Sequence, residues 1–298
     1  MNFTVLIIIA MIAWGISWPI GKMISTQTIP EVIIFWRNGA TTLSLLPLLY
    51  FYRKNLLLSK TGFFCILSGA ILMTLYNYLF FAGLRDGLAG LGGVIVTTTN
   101  PMVNYLILTI LGLHKITKND LKGLLIGLIG GAFLLKIWAI DINQLLLGGN
   151  LFFLIASILW AILTIVSSRS KDSLHPIIFS FYVYLFSTIL SIPTAITNNF
   201  LSVLQNPPSF WWGIFYLSAI STGFGTTVYF VSSTKLGSQR ASSYIFMVPG
   251  TAIISSWILM NEVPDWTTII GGSLAMLAVK ILHKIPIKVE NIKSDLTQ

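Results

Sequence analysis

Charged residues are the scarcest class in this sequence. Asp, Glu, Lys and Arg make up 9% of its 298 residues, whereas a soluble domain carries roughly 25%. So few charges cannot cover the surface of soluble domains of this total length, and 55% of the residues are apolar. The chain is therefore predicted to have lipid, rather than water, as the solvent for most of its length.

Cysteine and histidine are scarce as well. The single cysteine, Cys65, excludes an intramolecular disulfide and a cysteine-based metal site. The three histidines lack the helical spacing of metal ligands, and there is no phosphate-binding Walker motif. We therefore expect no metal and no cofactor. The net charge of +9 does not predict a nucleic-acid partner, because the basic residues alternate with apolar segments, as they do in membrane proteins.

Apolar windows long enough to cross a bilayer occur ten times. About 20 mostly apolar residues are needed for one crossing. If the N-terminus is placed inside, fourteen of the 18 Lys and Arg fall on the cytoplasmic side, which is the asymmetry expected of a multi-pass protein. The sequence predicts an all-α membrane protein whose ten transmembrane helices are Phe3–Gly21, Val32–Tyr52, Gly62–Gly83, Leu88–Leu111, Leu121–Trp138, Leu147–Ser167, Ile177–Thr197, Phe210–Ser233, Ala241–Met260 and Trp266–Leu282.

The sequence also contains an internal repeat. Trp14 and Trp160 are 146 positions apart, two proline pairs share that offset, and four pairs further along share an offset of 148. A unit of five spans crosses the membrane an odd number of times, so the second copy is inverted, an arrangement that recurs in transporters. We predict five-helix repeats at residues 1–140 and 141–285 and a cytoplasmic tail at 286–298, with both termini inside. The other pairs are Pro30/Pro176, Pro47/Pro193, Pro101/Pro249, His114/Glu262, Gly123/Gly271 and Lys136/Lys284.

Four motifs give the chain a resemblance to a known family. They are AWGISWPIGK in the first span, PEVIIFWR at the start of the second, TTTNPMVNYLILTILGLHK in the fourth, and YIFMVPGTAIISSWILMNEVPDWTTIIGG in the second half. With these motifs the chain resembles the drug/metabolite transporter superfamily, EamA type. The resemblance implies inverted repeats and export of amino acids, related metabolites or drugs from a prokaryotic cytoplasm. His114 departs from the family, which often has Glu at that position.

Polar and aromatic residues near the middle of the spans are the candidate substrate ligands. Polar groups in lipid are costly unless they find partners or face a cavity. Two prolines, Pro101 and Pro249, are predicted to shape the backbone, because broken helices tend to line transporter sites. Packing between helices is the alternative for each of these residues. The predicted cavity walls are Trp14, Asn77, Asn100, Asn104, Trp160, Tyr229 and Tyr244.

Three ionisable residues are candidates for a gate or for charge pairing. Arg37 lies five residues into the second span. Three roles are possible for its side chain. It extends to the outer interface, it makes a structural bond, or it attracts the carboxylate or phosphate of a substrate. His114 and Glu262 lie at span ends and are predicted to act as gate or cap residues. No acidic residue lies at mid-span, so we expect a facilitator, an exchanger, or coupling through groups at span ends.

The function predicted from these features is secondary transport of small metabolites by alternating access, with export as the implied direction. A channel or facilitator for a small polar solute is one alternative, although a channel needs a wide or charged polar lining. A membrane-embedded enzyme is the other, and it needs a deep cluster of His, Asp or Glu. The expected partners are a small-molecule substrate and the lipid bilayer, and the expected state is a monomer or weak homodimer.

Overall fold

The computed structural model of the protein describes residues 3–52, 59–87, 89–139, 149–260 and 266–283, which form helices without strands. This confirms the all-α prediction for the described residues. Short 3₁₀ helices lie at Ser170–Asp172, Phe200–Gln205 and Ile245–Met247, and Tyr216–Thr226 is a π-helix. The α-helices are α1 (Phe3–Ser25), α2 (Pro30–Tyr52), α3 (Lys60–Asp86), α4 (Ala89–Ile110), α5 (Lys118–Leu135), α6 (Asn150–Arg169), α7 (Pro176–Thr197), α8 (Pro208–Phe215), α9 (Thr227–Leu236), α10 (Ser238–Tyr244), α11 (Val248–Met260) and α12 (Trp266–His283).

Seven stretches of the described chain are long and apolar enough to cross a membrane. Six of them fall within or nearly match α1, α2, α3, α4, α6 and α7, and the seventh is the continuous helix Pro208–Leu236, which joins α8, the π-helix and α9. α12 is a shorter apolar helix. α5 carries three charged residues in its first five positions, and a 3₁₀ helix interrupts the run from α10 to α11. The number of ten crossings therefore stays a prediction.

Local sequence explains where several helices begin. The Ser59 hydroxyl accepts a hydrogen bond from the Gly62 amide (3.0 Å) at the start of α3. Thr117 and Asp120 form a capping box at the start of α5. Gly237, with φ at +84°, makes the turn between α9 and α10, in a conformation that glycine adopts without strain. The Ser59 and Thr117 side chains thus pair backbone donors that every helix start leaves without a partner in the helix, and Gly237 turns the chain between two helices.

Glycine lets the helices of the outer part of the bundle approach closely, as is common in lipid. A Cβ added to Gly83 of α3 would lie 2.6 Å from the ring of Phe153, and one added to Gly92 of α4 would lie closer still. The fully buried Phe153 ring on α6 therefore fills space that two absent side chains leave. This contact fixes α6 against α3 and α4.

The helices pack in a reciprocal pattern. α3 packs against α6 and α7, while the π-helix packs against α1 and α2. α4 packs against α6, while α11 packs against α1. α2 pairs with α7, and α5 pairs with α12. The pattern leaves a space at the centre of the bundle, bounded by α1, α2, α3, α4, α6, α7, the π-helix and the start of α11.

Candidate functional site

A cavity occupies this central space. Its volume is about 50 Å³, well below the roughly 300–1,000 Å³ of typical small-molecule sites. The cavity is therefore narrow in this structure. Four residues predicted from the sequence are among those that line it: Trp14, Arg37, Asn77 and Trp160.

Three aromatic side chains, Trp14, Tyr76 and Trp160, form one side of the cavity, the aromatic wall. The ring centroids of Trp14 and Trp160 are 5.1 Å apart in a T-shaped contact, and those of Tyr76 and Trp160 are 4.7 Å apart. Trp14 Nε1 donates a hydrogen bond to the Ser221 carbonyl (3.0 Å). The buried Trp160 Nε1 has no partner among the described residues. The wall offers flat faces to planar or cationic groups.

Arg37 and Asn77 line the charged end of the cavity, and Thr222 lies behind them as a partner of Arg37. Arg37 Nη1 donates to Asn77 Oδ1 (2.7 Å), and Nη2 donates to Thr222 Oγ1 (2.8 Å). The guanidinium carbon also lies 5.3 Å from the centroid of the Phe81 ring. Arg37 is only 9% exposed. Its guanidinium therefore makes structural bonds inside the bundle, to side chains of α3 and of the π-helix.

The π-helix supplies polar groups to both ends of the cavity. Ser218 Oγ donates to the Arg37 carbonyl (3.1 Å), and Thr222 accepts from the Arg37 guanidinium. The carbonyl of Ser221 accepts from Trp14. π-Helices are rare and occur frequently at functional sites, because the wider turn re-aims backbone and side-chain groups. Here the π-helix places Ser221 against Trp14 and the next residue, Thr222, against Arg37.

Asn100 and Asn104 of α4 do not line the cavity. Asn100 Nδ2 donates to the Ser157 carbonyl (3.0 Å), and Asn104 Nδ2 donates to the Ala161 carbonyl (3.4 Å). Both asparagines are fully buried, and both acceptors belong to α6. The two amides therefore hold α4 against α6, and their contact with a substrate stays a prediction. The neighbouring Thr97 is the residue of this motif that lines the cavity.

Neither of the two predicted tyrosines is among the residues that line the cavity. The Tyr229 hydroxyl is 3.0 Å from Thr164 Oγ1, and its ring lies 4.9 Å from the ring of Trp14. Tyr229 thus supports the aromatic wall from behind. Tyr244 ends α10 and is 9% exposed. Their roles as substrate ligands stay predictions.

The two predicted prolines differ in what they do to the backbone. Pro101 lies inside α4, which continues through it. The hydroxyls of Thr97, Thr98 and Thr99 donate to carbonyls one turn earlier in the same helix. Pro249 is the second residue of α11, directly after the 3₁₀ helix Ile245–Met247. Only the second proline coincides with an interruption of the α-helix.

His114 belongs to a polar cluster away from the cavity. His114 Nε2 lies 2.9 Å from Asp120 Oδ2 and 2.9 Å from Gln239 Nε2. The fully buried Asp120 also accepts from the Thr117 amide and hydroxyl. The cluster links the connection before α5 to α10. Glu262, its predicted partner in the repeat, lies outside the described residues.

Several lining residues were not predicted from the sequence. Ser17 and Trp18 follow Trp14 by three and four positions, so helical spacing places them on the face of Trp14. The same spacing relates Tyr76 to Phe80. Tyr184 on α7 carries no comparable signal, because many aromatic residues in these spans face other helices. The other unpredicted lining residues are Met73, Val96, Ile245 and Val248. Thr97, Ser221 and Thr226 also line the cavity, and the sequence marks these three as polar groups within apolar spans.

The EamA-like transporter family matches the chain twice, over residues 2–136 and over residues 147–282. The chain belongs to the EamA-like transporter family. This membership confirms the resemblance drawn from the four motifs. It makes the protein a multi-pass membrane transporter of a small molecule, and not an enzyme.

Named relatives of this EamA-like transporter are also transporters. A transporter of Archaeoglobus fulgidus, whose name gives no substrate, is 26% identical over 131 residues, which are 44% of this chain and 45% of that protein. The chain thus matches about half the length of that relative. The transporter YoaV of Bacillus subtilis is 23% identical over 90% of this chain and 92% of its own length. The S-adenosylmethionine uptake transporter of Rickettsia conorii is 25% identical over 85% of this chain and 82% of its own length.

A solved crystal structure shares the fold. It superposes on this EamA-like transporter with a TM-score of 0.71 and 14% sequence identity, over 95% of this chain and 96% of the other. At this identity the likeness concerns the fold alone. The helical arrangement around the cavity is therefore one that a solved protein adopts.

Proposed function

We propose that this EamA-like transporter is a secondary carrier that moves a small polar or amphipathic metabolite across a prokaryotic cytoplasmic membrane by alternating access. In this proposal the chain crosses the membrane ten times, as inverted five-helix repeats at residues 1–140 and 141–285, with both termini and the tail 286–298 in the cytoplasm. The helix Pro208–Leu236 is the eighth crossing, α10 and α11 form the ninth, and α12 is the tenth. The observation that carries the proposal is a set of contacts that occur twice. Each contact from a residue of the first half to one of the second has a counterpart in which the two halves are exchanged.

A pair of hydrogen bonds gives the clearest support for the repeat. Thr41 Oγ1 donates to the Ser218 carbonyl (3.2 Å), and Ser187 Oγ donates to the Ala70 carbonyl (3.1 Å). Thr41 and Ser187 are 146 positions apart, and Ala70 and Ser218 are 148 apart. These are the two offsets found in the sequence. Exchanging the two halves therefore converts one hydrogen bond into the other, as a two-fold relation requires.

Residues near a two-fold axis contact their own equivalents, and two such contacts are present. Trp14 meets Trp160 with ring centroids 5.1 Å apart. Thr42 Oγ1 lies 3.5 Å from Thr188 Oγ1. Both pairs have the offset of 146. They support an axis that passes between α1 and α6 and between α2 and α7.

Glycine contacts between α5 and α12 follow the same relation. A Cβ added to Gly123 would lie 2.6 Å from Leu282 Cγ, and one added to Gly271 would lie 2.7 Å from Leu134 Cγ. Both the glycines and the leucines are 148 positions apart. Each helix thus places a leucine where its partner lacks a side chain. The element pairing is reciprocal in the same way, with α3 on α6 and the π-helix on α1.

A duplicated, inverted skeleton supports alternating access directly. If the two halves adopt slightly different conformations, their exchange closes the cavity on one face and opens it on the other. The motif resemblance implies export, whereas the Rickettsia relative is named for uptake of S-adenosylmethionine. A site that opens to both faces exchanges solute in both directions, so the gradients set the net direction. S-adenosylmethionine is therefore the first solute to test, followed by amino acids, nucleotides and polyamines.

Counterflow in proteoliposomes tests the proposal. Vesicles containing the full chain are loaded with unlabelled solute, and uptake of trace radiolabelled solute is followed against protein-free vesicles. A carrier gives saturable uptake with a transient overshoot, a channel equilibrates without overshoot, and an enzyme yields an altered product. Absence of saturable uptake for every solute of the panel would contradict the proposal.

A further inference from the structure

Arg37 is a buried cation for which the described residues provide no counter-ion. It is 9% exposed, and its two hydrogen-bond partners, Asn77 and Thr222, are neutral. The ion pairs that occur among the described residues do not include it. A charge taken out of water is strongly unfavourable unless an opposite charge or a complete set of hydrogen bonds compensates it. The cavity that Arg37 lines is the place from which compensation can come.

The hydrogen bonds of Arg37 are also incomplete. Its guanidinium has five N–H donors, and the bonds to Asn77 and Thr222 account for one on each Nη. Nε is buried and has no partner in the part of the chain that the structure describes. A buried donor without an acceptor is costly, more so on a charged group. A ligand in the cavity that Arg37 lines is one source of the missing acceptor.

Neighbouring groups hold Arg37 in place. Thr41 Oγ1 and Ser218 Oγ both donate to its carbonyl, at 2.8 and 3.1 Å. Asn77, which accepts from Nη1, donates in turn to Asn38 Oδ1 (3.2 Å). The first two bonds hold the backbone at Arg37, while the bonds to Asn77 and Thr222 orient the guanidinium, so less freedom is lost when a ligand binds. These contacts are what a binding site needs and a surface arginine lacks.

The charged end adjoins the aromatic wall along two separate segments. On α3, Tyr76 packs against Trp160 while the next residue, Asn77, accepts from Arg37. On the π-helix, Ser221 accepts from Trp14 while the next residue, Thr222, accepts from Arg37. The two parts of the cavity are thus one residue apart on each segment. One small molecule is long enough to touch both.

We propose that Arg37 binds the carboxylate of the transported molecule, while the aromatic wall packs against its planar or cationic remainder. The inference rests on the proposed function, because it names the substrate class of the same cavity. Arginine is the side chain best matched to a carboxylate, since its planar fork presents paired donors to two oxygens. An anchor at one end and flat rings at the other select amphipathic organic acids and zwitterions over neutral solutes.

Two probes of nearly equal size test the charge preference, whichever substrate the protein carries. Phenylacetate and phenylacetamide share a ring and differ in the carboxylate, and their affinities for the purified full chain are measured by isothermal titration at pH 7. We expect phenylacetate to bind about tenfold or more tightly, because charge-assisted bonds to arginine exceed neutral ones. Equal affinities, including no binding of either probe, would overturn the inference.

Three variants test whether Arg37 causes the preference for phenylacetate over phenylacetamide. Arg37→Gln removes the charge, and Asn77→Asp supplies a carboxylate next to Nη1, so both are expected to abolish the preference for phenylacetate. Arg37→Lys keeps the charge but not the fork, so it is expected to keep part of the preference. Arg85→Gln is the matched control, because the Arg85 side chain is 46% exposed and pairs with Asp86. It is expected to behave as the unchanged protein.

The outcomes separate this inference from the proposed function. A preference that persists in folded Arg37→Gln and in Asn77→Asp overturns the inference, even if counterflow succeeds. Should Arg37→Gln fail to fold, the near-isosteric Asn77→Asp variant and the comparison of two probes on the unchanged protein still decide it. Anion binding at Arg37 without counterflow of any solute contradicts carrier activity and leaves the anion site standing.

Discussion

The two halves of the proposed repeat have a common skeleton but different linings. Trp14 and Trp160 are equivalent, and both belong to the aromatic wall. At the same offset of 146, Arg37 corresponds to Val183. Val183 is fully buried and packs against Gly69, where an added Cβ would lie 2.9 Å from it. One half therefore places a charge where the other half places a packed aliphatic side chain.

The partner of the charge differs in the same way. At the offset of 148, Asn77 corresponds to Gly225. Asn77 accepts from Arg37, whereas a Cβ added to Gly225 would lie 3.1 Å from Trp14 Nε1. If the proposed repeat is correct, the positions that the halves share hold the helices together. The positions that differ, such as Arg37 and Asn77, then make the two sides of the cavity chemically unequal, as an asymmetric substrate requires.

The largest effect is expected from crowding the shared α5–α12 contact. Gly123→Val forces a side chain against Leu282, whereas Gly271→Val meets Leu134 and also the Gly130 carbonyl and the Leu134 amide of the facing backbone. Overpacking costs about 1–3 kcal/mol, so both variants should lower the Tm of the purified protein, Gly271→Val by the larger amount. Gly250→Ala is the control, because an added Cβ there meets nothing within 4 Å. If one glycine tolerates valine and the other does not, the equivalence of the two halves is lost.

A smaller and unequal effect is expected at the paired tryptophans. Trp14→Phe removes the hydrogen bond from Nε1 to the Ser221 carbonyl, at a cost of about 1 kcal/mol. Trp160→Phe removes a buried N–H that lies near the Tyr229 hydroxyl but makes no well-formed hydrogen bond among the described residues, so it should cost less. Thermal unfolding of the two variants measures the difference. A greater loss of stability in Trp160→Phe would show that the asymmetry is assigned to the wrong half.

The smallest effect is expected from the reciprocal hydrogen bonds. Thr41→Val and Ser187→Ala each remove one hydroxyl donor. The Thr41 hydrogen is shared between the Ser218 carbonyl and the Arg37 carbonyl of its own helix, and Ser187 donates to the Ala70 carbonyl. Each loss costs about 0.6 kcal/mol in a membrane protein. The two Tm shifts should agree, and the double variant should show their sum, because the bonds are separate. Clearly unequal shifts would argue against a two-fold relation between Ala70 and Ser218.

Helix positions could be predicted from the sequence with small errors. The fourth window, Leu88–Leu111, corresponds to α4 (Ala89–Ile110), and Ile177–Thr197 corresponds to α7 (Pro176–Thr197). These boundaries follow from the length of apolar runs, which the thickness of the bilayer fixes. The π-helix within Pro208–Leu236 could not be foreseen, because its turns depend on contacts with α1 and α2.

The orientation of polar side chains was harder to predict. Asn100 and Asn104 share a helical face, and the sequence shows that this face is polar without showing which neighbour it meets. The structure turns it toward α6 carbonyls. Arg37 seemed close to an interface because of its depth along the span. Its partners Asn77 and Thr222 lie 40 and 185 positions away, and only tertiary packing brings them together.

Accessibility of one cavity residue from both faces of the membrane is the most direct test of the account. Val96 lines the cavity, so Val96→Cys is made in a Cys65→Ser background, and an impermeant thiol reagent is applied to intact and to inside-out vesicles. Leu43→Cys is the control, because Leu43 is 65% exposed on the outside of α2, and a thiol in hydrocarbon does not ionise and react. Alternating access predicts labelling of Val96→Cys from both faces and of Leu43→Cys from neither. Labelling of Val96→Cys from one face only would contradict a cavity that opens to both sides in turn.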